Sequence, residues 1–172
     1  SDEHGWFEGR FSRSHAVRYG GAEVLSRYLD ELGFSTEQDL LVSSGDSWTG
    51  PALSTLLEGQ PMIDAFNALG YRAVAMGNHE FDFGLDVLKK NIARSKFHYL
   101  GANLDVGTTD LPIKPSQLIA VGGTKVGIVG LVFKHTRKVT FHSNTEGLKF
   151  TDYKEAALRE AAALQKAGAE LT

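Results

Sequence analysis

There is no cysteine anywhere in the 172 residues. A disulfide framework, a thiolate metal site and a thiol nucleophile are excluded together by that one absence. The chain also lacks any apolar run near the ~18 residues that span a bilayer, so no membrane span is expected. Neither sign of charge dominates: 18 Lys and Arg against 21 Asp and Glu leave a formal net charge of -3. That balance speaks against a protein that grips nucleic acid or an anionic membrane through bulk charge. Internal repeats and low-complexity stretches are missing as well. What remains is 42% hydrophobic, enough at this length for one compact domain with a real core.

Both ends read as cut. Ser1-Asp2-Glu3-His4-Gly5 is a polar, turn-like opening with no strand or helix leading into it, and Ala169 to Thr172 breaks off where an alternating chain begins another strand. The expectation is an internal piece of something larger. Between the ends, Val24, Leu25, Tyr28, Leu29 and Leu32 recur at helical spacing, which predicts a helix over Ala22 to Leu32 closed by Gly33. A second helix is predicted from Met62 to Leu69, with Pro61 in its first turn and Gly70 at its end. A third runs from Leu85 to Ser95 and a last from Ala156 to Gly168. Strands are expected at Asp39 to Ser43, Tyr71 to Met76, His98 to Ala102, Gln117 to Val121 and Val126 to Val132, with Gly122-Gly123 as a hairpin turn. The Gly- and Arg-containing stretch before the first helix reads as a loop, and Asp105 to Pro115 as the one irregular excursion. Strand, loop and helix in alternation mean an α/β sandwich, its sheets buried between helix layers.

Ligands of such sheets gather at the C-terminal ends of strands. Three polar clusters are expected at such ends: Asp2-x-His4, Gly45-Asp46 and Gly77-Asn78-His79-Glu80-Phe81-Asp82. Any one of them alone reads as a cap or a turn. Together they offer more. Asp and His two apart on an extended segment point to the same side. Asp46 has two oxygens able to bridge two ions, and Asn78 supplies a neutral carbonyl oxygen. Oxygen and imidazole donors without thiolate suit Mn, Fe or Zn.

The order Asp-x-His-Gly, Gly-Asp, Gly-Asn-His-Glu-Phe-Asp resembles the calcineurin-like metallophosphoesterases. The wording from Gly45 to Gly50, from Ile63 to Tyr71, from Gly77 to Gly84, at Gly101-Ala102-Asn103-Leu104 and from Gly127 to Leu131 is similar to the 5′-nucleotidase/UDP-sugar hydrolase branch. The resemblance covers nearly the whole chain. It implies a metallophosphatase-type α/β sandwich, with residues 1–172 forming part of the catalytic domain. The branch's later histidine-bearing metal motifs and its substrate domain have no counterpart here.

Carried over residue by residue, Asp2 and His4 would bind a first metal, Asp46 would bridge, and Asn78 would bind a second. His79 would be the catalytic histidine, with Asp82 as its carboxylate partner, and Asn78 and His79 would face the substrate. The implied cofactors are two divalent ions. The implied activity is hydrolysis of nucleotide phosphate esters by metal-activated hydroxide. Two such ions hold a phosphoryl group and stabilise its developing charge. The implied partner is a small nucleotide or phosphate ester, and the implied location is the periplasm, cell wall or extracellular space. The rivals are a sulfate thiol esterase of sulfur oxidation, from the same superfamily, and a non-catalytic binding module. His15, His98, His135 and His142 read as solvated residues outside any ligand motif, and Lys134 to Lys138 as a solvated basic loop. Trp48 and Phe81 are expected to pack beneath the metal loops.

Overall fold

A computed structural model describes residues 1–172. Its elements follow in order: strands β1 (Arg10–Ser12) and β2 (Val17–Tyr19), helix α1 (Gly21–Glu31), β3 (Val42–Ser43), α2 (Ala52–Leu56), α3 (Gln60–Leu69), β4 (Ala73–Ala75), α4 (Gly84–Arg94), β5 (His98–Leu100), β6 (Leu104–Asp105), β7 (Ser116–Val121), β8 (Thr124–Val129), α5 (Thr136–Val139), β9 (Lys149–Phe150) and α6 (Tyr153–Lys166). Single 3₁₀ turns occupy His79–Phe81 and His142–Thr145.

The four predicted helices form where their periodicity puts them. Pro61 sits in the first turn of α3, where its missing N–H costs nothing, and Gly70 closes that helix in the left-handed region. Asp152 caps α6 by accepting the Lys154 N–H. The strands are shorter than expected. β5 stops at Leu100 because the Ala102 N–H turns to the Gly130 carbonyl (2.7 Å) instead of continuing a ladder. β8 stops at Val129.

Some expectations need correcting. Residues 10–19 are an antiparallel hairpin, β1–β2, rather than a loop. Its residues are almost all exposed, so no alternation of apolar and polar positions marked it. Asp105 to Pro115 is not the only irregular stretch, since residues 130–148 hold only α5 and a 3₁₀ turn.

β3, β4 and β5 pair in parallel in that order. β7 and β8 pair antiparallel around Gly122-Gly123, both at positive φ as a two-residue hairpin turn requires. In β4, Val74 points into a core of Met62, Ile63 and Phe66 from α3, Leu88 and Ile92 from α4, and Trp48, Phe97 and Tyr99. Ala73 and Ala75, on the opposite face, line a cleft with Ile128, Val129 and Gly130 of the hairpin. α6 closes the far side, with Leu164 against Gly127. The layers therefore run helix, parallel sheet, hairpin, helix, as an α/β sandwich should. After α6 the Leu171 carbonyl accepts the Gly127 N–H (2.7 Å), a single parallel bridge beside β8.

Parallel pairing has one consequence that matters most. The chain leaves β3, β4 and β5 at the same edge, so residues far apart in sequence meet there.

Candidate functional site

Gly45 and Gly77 follow β3 and β4, and their backbones touch. A Cβ on Gly45 would lie 2.4 Å from the Ala75 carbonyl oxygen, and one on Gly77 would lie 2.2 Å from Asp46 Oδ1. Gly45 also has φ +92°, which glycine adopts freely. Only glycine permits the two loops to approach this closely.

Closeness alone would leave backbone N–H groups facing one another, and Glu80 solves this. Its fully buried carboxylate accepts the Asp46 N–H (2.9 Å) and Gly77 N–H (2.8 Å) on Oε2, and the Ser47 N–H and hydroxyl (both 2.8 Å) on Oε1. Burial raises the Glu80 pKa, opposed by the Ser47 and Asp46 hydrogen bonds. Asp46 itself is held at φ +55°, an uncommon conformation for a residue with a side chain.

The opening residues run beside this loop. The N–H groups of Asp2, His4 and Gly5 donate to the carbonyls of Gly45, Asp46 and Ser47 at 3.0, 3.0 and 2.7 Å. They do not form the extended segment expected, because Asp2 and His4 have φ +56° and +44°. The same-side argument for this pair therefore fails, and backbone pairing to Gly45–Ser47 places His4 instead. Its Nδ1 lies 3.0 Å from the Thr49 carbonyl, which can only accept, so Nδ1 carries a proton and Nε2 of the neutral ring keeps its lone pair.

His79 opens the 3₁₀ turn after β4. Its N–H donates to Asp46 Oδ1 (2.9 Å) and its Nδ1 to Asp82 Oδ2 (2.7 Å). Burial pulls the imidazolium pKa down, but the Asp82 hydrogen bond and the charges of Asp82, Asp46 and Glu80 outweigh it, and the net shift is upward. The His4 and His79 rings meet edge-on, 4.9 Å between centroids.

The structure thus brings His4, Asp46, His79 and Asp82 together, with Asn78 adjoining. Asp2 is exposed, and its carboxylate bonds only the Ser1 hydroxyl. No three His, Asp or Glu side chains converge on one cation position. The donor chemistry nevertheless suits a divalent ion. His4 Nε2, Asp46 Oδ2 and the Asn78 amide are unspent in hydrogen bonds, and a histidine anchored through its other nitrogen to a carbonyl is the usual arrangement of a metal ligand.

Sequence reasoning assigned no role to Glu80, Thr49 or Asn144. Thr49 Oγ1 donates to Asp82 Oδ2, and Asn144 Nδ2 donates to the Asp82 carbonyl (2.8 Å). Glu80 stood inside a quoted motif, and nothing local distinguished a buried staple from a solvated acid. Trp48 and Phe81 are fully buried, as expected, and the Trp48 indole N–H donates to the Tyr99 hydroxyl (3.1 Å). His15, His98, His135 and His142 are all exposed and outside the cluster. Asn103, in the motif after β5, is structural: its side chain bonds the Val132 N–H and carbonyl (2.7 and 2.8 Å) and the Thr151 carbonyl. The apolar cavity of about 350 Å³ between α1 and α3 is lined by none of the candidate residues.

Comparison with known proteins sharpens this. No family model matches the chain. A 5′-nucleotidase of Vibrio cholerae is 34% identical over 163 residues, covering 92% of this chain and 29% of that protein. The crystal structure of a 5′-nucleotidase precursor from Thermus thermophilus superposes with TM-score 0.85 at 25% identity, over 98% of this chain and 34% of its own. The chain is a relative of the 5′-nucleotidases, with the calcineurin-like phosphoesterase fold. It spans about a third or less of the length of these two proteins. A sulfate thiohydrolase, SoxB, from Thermus thermophilus shares the fold at TM-score 0.73 and 20% identity, over 90% of this chain and 29% of its own. No helix of this chain is long and apolar enough to cross a membrane.

Proposed function

We propose that residues 1–172 are part of the catalytic domain of a metal-dependent hydrolase of nucleotide phosphate esters. The observation that supports this best is the hydrogen-bonded His79–Asp82 pair seated on Asp46 and edge-on to His4, in a chain related to 5′-nucleotidases.

His4, Asp46 and Asn78 are the residues that would hold divalent metal here, with Asp2, on the same opening segment as His4, as a further candidate carboxylate. Such ions, of Mn, Zn or Fe character, would supply charge neutralisation for the phosphoryl group and activation of water. The chain's own residues do the rest. His79 donates its Nδ1–H to Asp82, which turns Nε2 outward toward a bound ester. From there it gives a proton to the leaving alkoxide oxygen as the P–O bond breaks, a role typically contributing ~10²–10⁴-fold. Asp82 fixes the ring and stabilises its charged form. Glu80 holds the loop that carries Asp46. Asn78, beside His79, contacts the phosphoryl oxygens. The substrate is a small nucleotide rather than a polymer, and the protein acts outside the cytoplasm, in periplasm, cell wall or extracellular space.

The thiol esterase reading has only the shared fold behind it. A binding module has less, because such a module has no use for an oriented His79–Asp82 pair.

Two variants of the whole protein of which residues 1–172 are part test the proposal. Asn78→Ala is expected to lose metal and recover in part with excess metal ion. His79→Asn is expected to keep its metal and lose about two to four orders of magnitude in kcat, with a smaller loss for esters of good leaving groups. Metal loss in His79→Asn, or an equal drop for every leaving group, would show that His79 is a ligand or a binding contact.

A further inference from the structure

Thr49 has no part in the scheme above, yet one of its atoms bonds the carboxylate partner of His79 and another bonds His4 itself. Its hydroxyl donates to Asp82 Oδ2 (2.5 Å), the oxygen that also takes His79 Nδ1 (2.7 Å). Its carbonyl takes His4 Nδ1 (3.0 Å). One residue therefore joins the histidine that would bind metal to the pair that would deliver a proton.

The arrangement is well braced. Thr49 follows the fully buried Trp48, whose carbonyl accepts the Ser54 hydroxyl (2.7 Å). Asp82 is held from the other side through its carbonyl by Asn144. What these contacts leave loose is rotation of the Asp82 carboxylate about its last torsion, which is intrinsically broad. Two donors arriving at one oxygen from different residues remove that freedom.

We infer that Thr49 is a positioning residue of this site, locking the Asp82 carboxylate, and through it the His79 ring, in register with His4. The inference rests on the proposed phosphoester hydrolysis and adds to it the group that sets the geometry of the proton donor. Thr49 has no contact with substrate in this role, so its loss acts on kcat and not on KM.

The test compares Thr49→Val, which keeps the shape and deletes the hydroxyl, with Thr49→Ser, which keeps the hydroxyl. On a nucleoside monophosphate, in the whole protein of which residues 1–172 are part, Thr49→Val is expected to lower kcat ~10-fold, as a modest misalignment does, with KM and bound metal unchanged. Thr49→Ser is expected to recover kcat to within about 2-fold of the parent on the same geometric argument. A second readout needs no turnover. The His79 Nδ1–H proton, shifted downfield by its carboxylate partner, is expected to be sharp in the parent and in Thr49→Ser, and broadened in Thr49→Val. The His4 signal stays put in all three, because the Thr49 carbonyl survives every substitution. An unchanged kcat and a sharp His79 signal in Thr49→Val would overturn the inference. So would a Thr49→Ser variant as impaired as Thr49→Val, since packing would then be the cause. If the whole protein of which residues 1–172 are part hydrolyses no nucleotide, the proposed function fails, and the His79 proton still decides the role of Thr49.

Discussion

Replacing Glu80 by Gln changes one atom in a fully buried carboxylate, and the hydrogen-bond geometry sets the cost. The two oxygens receive four donors: Asp46 and Gly77 N–H on Oε2, Ser47 N–H and hydroxyl on Oε1. Glutamine must aim its NH₂ at one of these pairs. Toward Asp46 and Gly77 it meets two fixed N–H groups and orphans both. Toward Ser47 it orphans only the N–H, because the hydroxyl rotates and accepts. The second orientation wins. One unsatisfied buried N–H costs about 1–3 kcal/mol, and the two surviving bonds drop from charge-assisted to neutral, a further ~1 kcal/mol each. Against this stands relief from burying a charge, the same desolvation that raises the Glu80 pKa. The net expectation is a loss of roughly 2–4 kcal/mol. Urea denaturation of parent and Glu80→Gln, with the midpoint multiplied by a common slope, measures it. A difference below about 1 kcal/mol would refute the argument, because it would mean that an amide serves these donors as well as the carboxylate does. Amide hydrogen exchange adds a local check: the Asp46, Ser47 and Gly77 N–H groups should lose protection ahead of the helices.

Two further outcomes are expected. Trp48→Ala removes a fully buried ring and the donor to Tyr99, and should cost about 3–5 kcal/mol in thermal or denaturant unfolding. Unchanged stability with weakened substrate affinity would show instead that Trp48 faces the substrate. His98, whose Nε2 accepts from Lys114 Nζ (2.9 Å), has its pKa lowered by burial and by the Lys114 charge. The unfolded chain therefore binds the proton more readily. His98 contributes stability above its unfolded pKa of ~6.5, and that contribution is lost as pH falls through the lower folded value. In thermal unfolding the parent should lose ground to His98→Asn between about pH 6.5 and 5. Parallel curves would show that the Lys114 contact does not perturb His98.

Much of the fold was legible because its signals are local. The apolar spacing of Val24, Leu25 and Tyr28, Pro61 and Gly70 at the ends of α3, and Gly122-Gly123 between β7 and β8 each act within a few residues, and each element formed. The β1–β2 hairpin was hidden because it faces solvent on nearly every residue, and without a buried face a strand has no period to read. The site divides in the same way. His79 and Asp82 stand three apart, and their 2.7 Å bond follows from one turn of chain after β4.

By itself, the order of residues determined the kinds of chemistry available: oxygen and imidazole donors, no thiolate, glycines where two loops must touch, and a histidine within reach of a carboxylate. The tertiary structure alone decided which of these groups work on one another. Glu80 binds the loop of Asp46 and Ser47 from 33 and more residues away, Thr49 reaches Asp82 across the same interval of 33, and Asn144 reaches it across 62. Glu80 and Thr49 meet their partners because β3 and β4 pair in parallel and release their loops at one edge, and Asn144 reaches Asp82 from the 3₁₀ turn after α5. A buried polar group must then take whatever donor or acceptor that edge supplies, and no local pattern in the chain says which one it will be.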